Sequence, residues 1–375
     1  MKILNTVKYY FPSLGGMESV VQNIIEGLIS ESNDFKFVVF SNSHFQSLKT
    51  TYEIKSQVTI IKEKTPFLFK SQPLNFWYPS LRKLLLESDI VYHHFPFPNL
   101  EFALLCNLNL LKKKKLIITW HANVENTRWR ILRKIYFPII RKLLSVAHTI
   151  VVTSPQLLEY SEILNDFKEK VVVIPLSHNI NHLPKIVPKS FPDNHCFKLL
   201  FVGKLREYKG LSFLLDAIKD LNVELVIVGS GENKKKLLNQ ISLLGISHKV
   251  IMYENVSNFD LDKIYKTSDL FVLPSINEAE AFGIVQLEAM SYGLPVINTN
   301  LRSGVPFVSL DGITGLTVPP AKSIDLKNAI LLIISNKSLY EGFSQNCLIR
   351  SEIFSKKNMI KEYLFLFSKL FHKKI

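Results

Sequence analysis

The stretch from Leu270 to Pro295 constrains the fold more than any other part of this chain. Leu270-Phe-Val-Leu273 is a short apolar run stopped by Pro274, the pattern of a strand buried on both faces of a parallel sheet. A polar segment follows, and Ile284, Val285, Leu287 and Met290 then take helical spacing as far as Gly293-Leu-Pro295. Strand, loop and helix start, in that order, form the place where open α/β sheets bind anions. The first N–H groups of the helix have no intrahelical partner, and the helix dipole favours negative charge there. Gly283 lets a phosphate come close to the backbone, and Glu280 and Glu288 flank that seat. A carboxylate accepts hydrogen bonds from vicinal hydroxyls, so one can hold a sugar and the other a ribose.

The Glu-x7-Glu spacing, with Phe282-Gly283, Ala289-Met290 and Gly293-Leu-Pro295-Val296 in register, resembles the retaining GT-B glycosyltransferases of family 4, which include many α-mannosyltransferases. The resemblance implies an α/β chain of two Rossmann-like domains facing across a cleft, with a C-terminal helix crossing back to the first domain. It places Glu280 on the donor-sugar hydroxyls and Glu288 on the nucleotide ribose, with Phe282, Gly283 and Ile284 among the donor-binding positions. The expected division is residues 1–178 as the acceptor-binding domain and 179–197 as a linker carrying Pro184, Pro188 and Pro192. Residues 198–354 form the nucleotide-sugar domain and 355–375 the returning helix.

Other segments add to this reading. Gly15-Gly16 precedes a helical pattern through Val20, Val21, Ile24, Ile25 and Leu28, and serves either as a turn or as a backbone seat for phosphate. The family places a Gly-Gly loop there, against the donor diphosphate and the acceptor. Leu116-Ile-Ile-Thr-Trp-His121 is a strand with a polar tip, similar to the family strand whose terminal His lies beside the donor sugar. His93-His94-Phe-Pro96 is expected as a loop lining the cleft, since no third metal ligand stands at a useful spacing.

In the second half, Lys198–Gly203 is a strand followed by Lys204, Arg206 and Lys209, cations able to clamp a diphosphate. The family carries Gly-Arg-Leu and then Lys-Gly. Lys209 matches, whereas Lys204 stands where the Arg would, keeping the charge without the bidentate fork. Leu225-Val-Ile-Val-Gly229-Ser-Gly231 has the wrong spacing for a Walker A loop and resembles the family's glycine loop beside the nucleotide. Leu301–Pro306 departs from the Gly-Gly-x-x-Glu of many members, which leaves its role open.

A chain of 375 residues is long enough for two cores. It contains no apolar run near the roughly 20 residues that span a bilayer. Met1-Lys-Ile-Leu-Asn-Thr-Val reads as a first strand rather than a signal peptide, and Cys106, Cys196 and Cys347 are spaced as plain thiols of a reducing cytoplasm. The net charge of +14 calls for an anionic partner. No nucleic-acid motif accompanies it, so nucleic acid is not expected. Between Arg128 and Lys142, basic and aromatic residues alternate with aliphatics. This pattern suits a helix lying on anionic lipid, and equally a core stripe with a solvated basic face.

The expected activity is retaining transfer of a sugar from a nucleoside diphosphate to an acceptor hydroxyl, with His121, Glu280 and Lys209 as catalytic residues. No metal or other cofactor is expected, on the reading that no Asp-x-Asp motif is present to hold one. The second-half motifs resemble mannosyl- and rhamnosyltransferases of O-antigen and polysaccharide assembly. They imply GDP-mannose as donor, a lipid-linked saccharide as acceptor, and a cytoplasmic enzyme peripheral to the inner face of the plasma membrane. The alternatives are a UDP-sugar donor, a GT-B sugar-nucleotide epimerase, and a non-catalytic scaffold.

Overall fold

A computed structural model describes residues 1–12, 15–69, 72–75, 77–124, 133–178, 187–192 and 196–371. The chain divides into two units, one of Met1–Leu176 with Lys356–Ile375 and the other of Ser177–Ser355.

The first unit holds β1 (Lys2–Thr6), β2 (Lys36–Asn42), β3 (Thr51–Lys55), β4 (Val58–Glu63), β5 (Leu68–Phe69), β6 (Gln72–Pro73), β7 (Ile90–Phe95), β8 (Lys115–Trp120), β9 (Thr149–Val152) and β10 (Val171–Val173). Eight of them form one sheet in the order β10-β9-β8-β7-β1-β2-β4-β3, and β5 pairs with β6 in a separate ribbon. The pairing is parallel throughout the large sheet except where β3 runs antiparallel to β4. The strand order reverses between β1 and β7, and the crevice outside such a reversal is where this kind of sheet binds ligands. The helix Gly16–Glu31 buries Val20, Val21, Ile24, Ile25 and Leu28. The last helix, Lys356–Phe371, belongs to this unit and sets Phe367 against Phe35 and Tyr92, and Tyr363 against Tyr92.

The second unit is a six-stranded parallel sheet of β11 (Phe197–Val202), β12 (Val223–Val228), β13 (Val250–Tyr253), β14 (Leu270–Val272), β15 (Val296–Thr299) and β16 (Gly315–Val318). Its order, β13-β12-β11-β14-β15-β16, is that of a dinucleotide-binding sheet, with the reversal between β11 and β14. The central strands are continuous apolar runs because both of their faces are covered. Leu199, Leu200, Phe201, Leu270, Phe271 and Val272 have no exposed surface.

The structure departs from the sequence reading at His93 and His94, and it adds detail in two other segments. His93 and His94 are not in a loop: β7 runs through Phe95 and pairs them with Ile118 and Thr119 of β8, so both are buried in the sheet. Of the basic-aromatic segment, Arg128, Trp129 and Arg130 lie outside the described residues. The helix Arg133–Val146 turns Tyr136, Phe137, Ile140, Leu143 and Leu144 into the core, which leaves Ile135 as its large exposed apolar side chain. Within the segment expected as a linker, Phe191 packs edge-on against Phe197 and Tyr340, and the Lys189 N–H donates to Ser344 Oγ at 2.7 Å. Residues 179–186 and 193–195 lie outside the described residues. No described helix is long and apolar enough to cross a membrane.

Gly27 is where the first and last helices meet, and a Cβ there would stand 2.4 Å from both Cγ1 and Cδ1 of Ile360. Gly27→Val should therefore cost about 1–3 kcal/mol by overpacking. Urea denaturation should show this loss, and Ile360→Ala in the same chain should recover part of it.

Candidate active site

The two loops at the reversal of the second sheet are stitched together. After β11, a short 3-10 turn Glu207–Lys209 ends at Gly210, whose backbone is left-handed with φ 68°. Its missing side chain matters, because a Cβ would stand 2.0 Å from the carbonyl oxygen of Pro274, in the loop after β14. The Ile276 N–H donates to the Tyr208 carbonyl at 2.8 Å. Above this backbone contact, the buried Lys209 ammonium donates to Glu280 Oε2, which also accepts from Ser275 Oγ at 2.9 Å. Gly203, just past β11, borders this ammonium: a Cβ there would be in ordinary contact with Lys209 Nζ at 3.5 Å.

The helix start expected from the sequence to seat a phosphate follows. Gly283 is the N-cap of the helix Ile284–Ser291 in the left-handed region, φ 73°, where a side chain would also meet Leu273 and Gln286 at under 3.0 Å. Phe282 sends its ring into the core, beside Phe307 and Phe354, so only its backbone borders the seat. Ile284 is the first helical residue and half-buried. Glu288 faces another neighbour: the Tyr265 hydroxyl donates to its Oε2 at 2.9 Å. Burial pushes the Glu288 carboxyl above the usual carboxylate range, and that hydrogen bond opposes the shift. The two glutamates therefore have different surroundings, one beside a cation and one beside a phenol.

A buried amide ladder braces this turn. Gln286 Nε2 donates to the Phe282 carbonyl at 3.3 Å, and Asn298 Nδ2 donates to Gln286 Oε1 at 2.8 Å. Asn298 Oδ1 in turn accepts from Thr317 Oγ1 at 2.7 Å. The Gly304 N–H donates to the Ala281 carbonyl at 2.7 Å, and the Val305 carbonyl accepts from Asn298. The Leu301–Pro306 loop thus holds the seat in place. Gln286 and Asn298 were not singled out from the sequence; a glutamine inside an apolar helix start was the available signal.

The remaining positions of this unit are less enclosed. Lys204 is exposed just past β11, while the Arg206 guanidinium lies 3.8 Å from Glu232. Gly229 has a packing reason, since a Cβ would stand 1.9 Å from the Gly203 carbonyl oxygen. The chain does contain one Asp-x-Asp sequence, Asp260-Leu-Asp262. It sits on the helix Asn258–Thr267, where the Asp260 N–H and carboxylate take up the capping Ser257, and Asp262 accepts from Lys266 and Tyr292.

The first unit places its own polar cluster at its reversal. Asn5 of β1 donates from Nδ2 to His94 Nε2 at 3.2 Å, and His94 Nδ1 meets His121 Nε2 at 3.0 Å. Donation by Asn5 puts the His94 proton on Nδ1, where it is given to His121, so the His121 proton sits on Nδ1. Burial, with His121 and His93 close by, holds His94 well below the usual imidazole range, and burial with His93 brings His121 down to about 3. Both rings are therefore neutral near pH 7. His93 takes a separate path, with Nδ1 2.9 Å from Thr6 Oγ1 and Nε2 3.4 Å from Glu101. Glu101 also accepts from the Phe97 N–H at 2.6 Å and from the Tyr136 hydroxyl. Gly15 caps the helix Gly16–Glu31 in extended conformation, and its missing side chain leaves space for the Glu18 carboxylate; Gly16 faces open space.

Two doubly wound sheets, one parallel and one parallel but for its edge strand β3, each with polar residues at the strand-order reversal, make this a two-Rossmann α/β protein of the GT-B kind. The family described as "Glycosyl transferases group 1" matches residues 184–348, and "Glycosyltransferase Family 4" matches residues 14–181. The chain is 28% identical to O-antigen chain mannosyltransferase C of Escherichia coli over 100% of both proteins. It is 31% identical to the D-rhamnosyltransferase WbpZ of Pseudomonas aeruginosa over 73% of this chain and 71% of that one. The crystal structure of the Anabaena protein HepE in complex with UDP aligns with a TM-score of 0.74 at 19% identity, covering 98% of this chain and 100% of that one. The chain belongs to the group 1 glycosyltransferases.

The neutral histidines give a pH dependence of stability. An unfolded imidazole protonates near pH 6.5, whereas folded His121 protonates near 3. The unfolded chain binds more protons between those values, so stability falls as pH is lowered through that window. Urea denaturation should show a smaller unfolding free energy at pH 5.5 than at 7.5, and His121→Asn should shrink the difference.

Proposed function

We propose that this glycosyltransferase moves mannose from GDP-mannose, with retention of the α configuration, to a lipid-linked saccharide in O-antigen assembly at the inner face of the plasma membrane. The observation that carries the reading is the buried Lys209–Glu280 pair at the sheet reversal, one loop away from the helix start at Gly283. A cation suited to a diphosphate and a carboxylate suited to sugar hydroxyls stand side by side. The donor and pathway are drawn from the mannosyltransferase and rhamnosyltransferase names of the two relatives.

In this reading Lys209, Lys204 and the N–H groups at Gly283 and Ile284 meet the diphosphate charge, so no metal is required. Glu280 accepts from the sugar hydroxyls and Glu288 from the ribose. Gly15, Gly16 and Gly229 keep backbone close to the donor, and the neutral His121 offers an N–H to the sugar. The bond between the anomeric carbon and the leaving phosphate oxygen breaks on the face where the acceptor oxygen bonds. The acceptor proton passes to the departing diphosphate, which conserves configuration without a covalent sugar–enzyme intermediate.

Thermal unfolding with GDP, UDP or ADP tests the donor, because a ligand of the folded state stabilises by about 2.7 kcal/mol at 100 times its Kd. A rise in Tm with GDP and GDP-mannose is expected. A response to UDP compounds instead would keep the transferase and replace the donor, and no response to any nucleotide would remove the proposed site. Glu288→Ala should weaken nucleotide binding, while Glu280→Gln should lower kcat by roughly 10²-fold with nucleotide binding retained. Normal turnover in both variants would show the assignment to be wrong.

A further inference from the structure

Exposed apolar side chains in the first unit concentrate in one extension. Phe45 is 77% exposed, Leu48 78%, Phe67 66% and Trp77 74%, and Tyr52 and Ile54 project from the edge strand β3 beside them. Hydrogen bonds join these segments into one surface. Ser43 donates to the Glu63 carbonyl, and Ser47 and Thr65 exchange backbone hydrogen bonds at 2.9 and 2.8 Å. Leu74 donates to the Phe67 carbonyl, and Asn75 ties Lys64 to Trp77 by donating to one and accepting from the other. Soluble monomers rarely expose a contiguous apolar area of this kind unless something covers it.

The charge around it says what the cover is. Residues 44–77 carry five lysines and two glutamates. Glu63 is turned inward, where it accepts from the hydroxyls of Thr50 and Ser80. Glu53 is held by Lys55 at 2.6 Å. Among the described residues, what remains facing out is Lys49, next in sequence to the exposed Leu48, with Lys62 and Lys64 half-buried. A second copy of this chain, docked about a two-fold axis, would set these lysines against their own images. An anionic bilayer offers the complement: rings sit at headgroup depth, and lysines beside them attract acidic lipid. The extension also follows the C-terminal ends of β2 and β4, the end of the sheet that carries Gly15 and His121.

We propose that the described residues of 43–69, 72–75 and 77 form the surface by which this chain adsorbs to an anionic membrane, with Phe45, Leu48, Phe67 and Trp77 among the headgroups. This deepens the membrane-side part of the proposed function, and its readout needs no sugar transfer. The test is co-sedimentation of the full-length protein with phosphatidylcholine vesicles, with and without phosphatidylglycerol. Wild type should partition onto the phosphatidylglycerol vesicles. The combined Phe45→Ser, Leu48→Ser, Phe67→Ser and Trp77→Ser variant should lose at least roughly tenfold in partitioning. Lys49→Gln and Lys64→Gln should each lose about fivefold. Trp77 emission should be quenched by brominated lipid, and that quenching should vanish in Trp77→Phe. An unchanged nucleotide-induced Tm shift shows that a variant still folds. Equal partitioning of the apolar variant, or a wild-type dimer that the same substitutions dissolve while vesicles go unbound, would overturn the proposal. Vesicle binding without any nucleotide response would instead count against the donor reading alone.

Discussion

The contact between Lys209 and Glu280 is the one on which the second unit's site depends. Burying either charge alone is expensive, and truncating one partner of a buried pair typically costs about 3–5 kcal/mol because the other is left uncompensated. The pair persists because the backbone beneath it is already joined: Gly210 lies against Pro274, and Ile276 donates to Tyr208. Those contacts bring two loops, 71 residues apart in sequence at the ion pair, to one point above the sheet. In the proposed function this ammonium exchanges its carboxylate partner for a diphosphate oxygen, so the pair acts as a preorganised electrostatic site rather than a source of stability.

The same physics appears in the first unit in neutral form. There the strand-order reversal is filled with Asn5, Thr6, His93 and His94, all buried. The rings gain partners from neighbouring strands, and burial holds His94 and His121 neutral. In the proposed function a neutral His121 donates a hydrogen bond to the sugar without supplying a proton to the reaction. The two units thus present different electrostatics, a cation–carboxylate pair in one and an uncharged imidazole chain in the other.

How far the sequence revealed this follows from the range of each interaction. The strand at Leu270, the helix from Ile284 and the glycine between them rest on local rules of periodicity and capping, and they were legible. The α/β architecture follows from the same rules. His93 and His94 were misread as loop because polar residues inside a central strand break the apolar run, and their partners lie 89 residues away at Asn5 and 87 away at Thr6. Phe282 read as a site residue by its position beside Gly283, yet its ring is turned into the core by Phe307 and Phe354. The brace from Gly304 was invisible for a similar reason: it is a backbone hydrogen bond, which no side-chain motif records. The Arg128–Lys142 segment showed the limit of periodicity itself, since an apolar stripe facing lipid and one facing a core have the same spacing.

A structure of the protein with a nucleoside diphosphate bound tests the central claim most directly. The account places the terminal phosphate at the N–H groups of Gly283 and Ile284, with Lys209 Nζ moved from Glu280 onto a phosphate oxygen and the ribose hydroxyls on Glu288. A diphosphate bound elsewhere, with the Lys209–Glu280 pair intact, would contradict it.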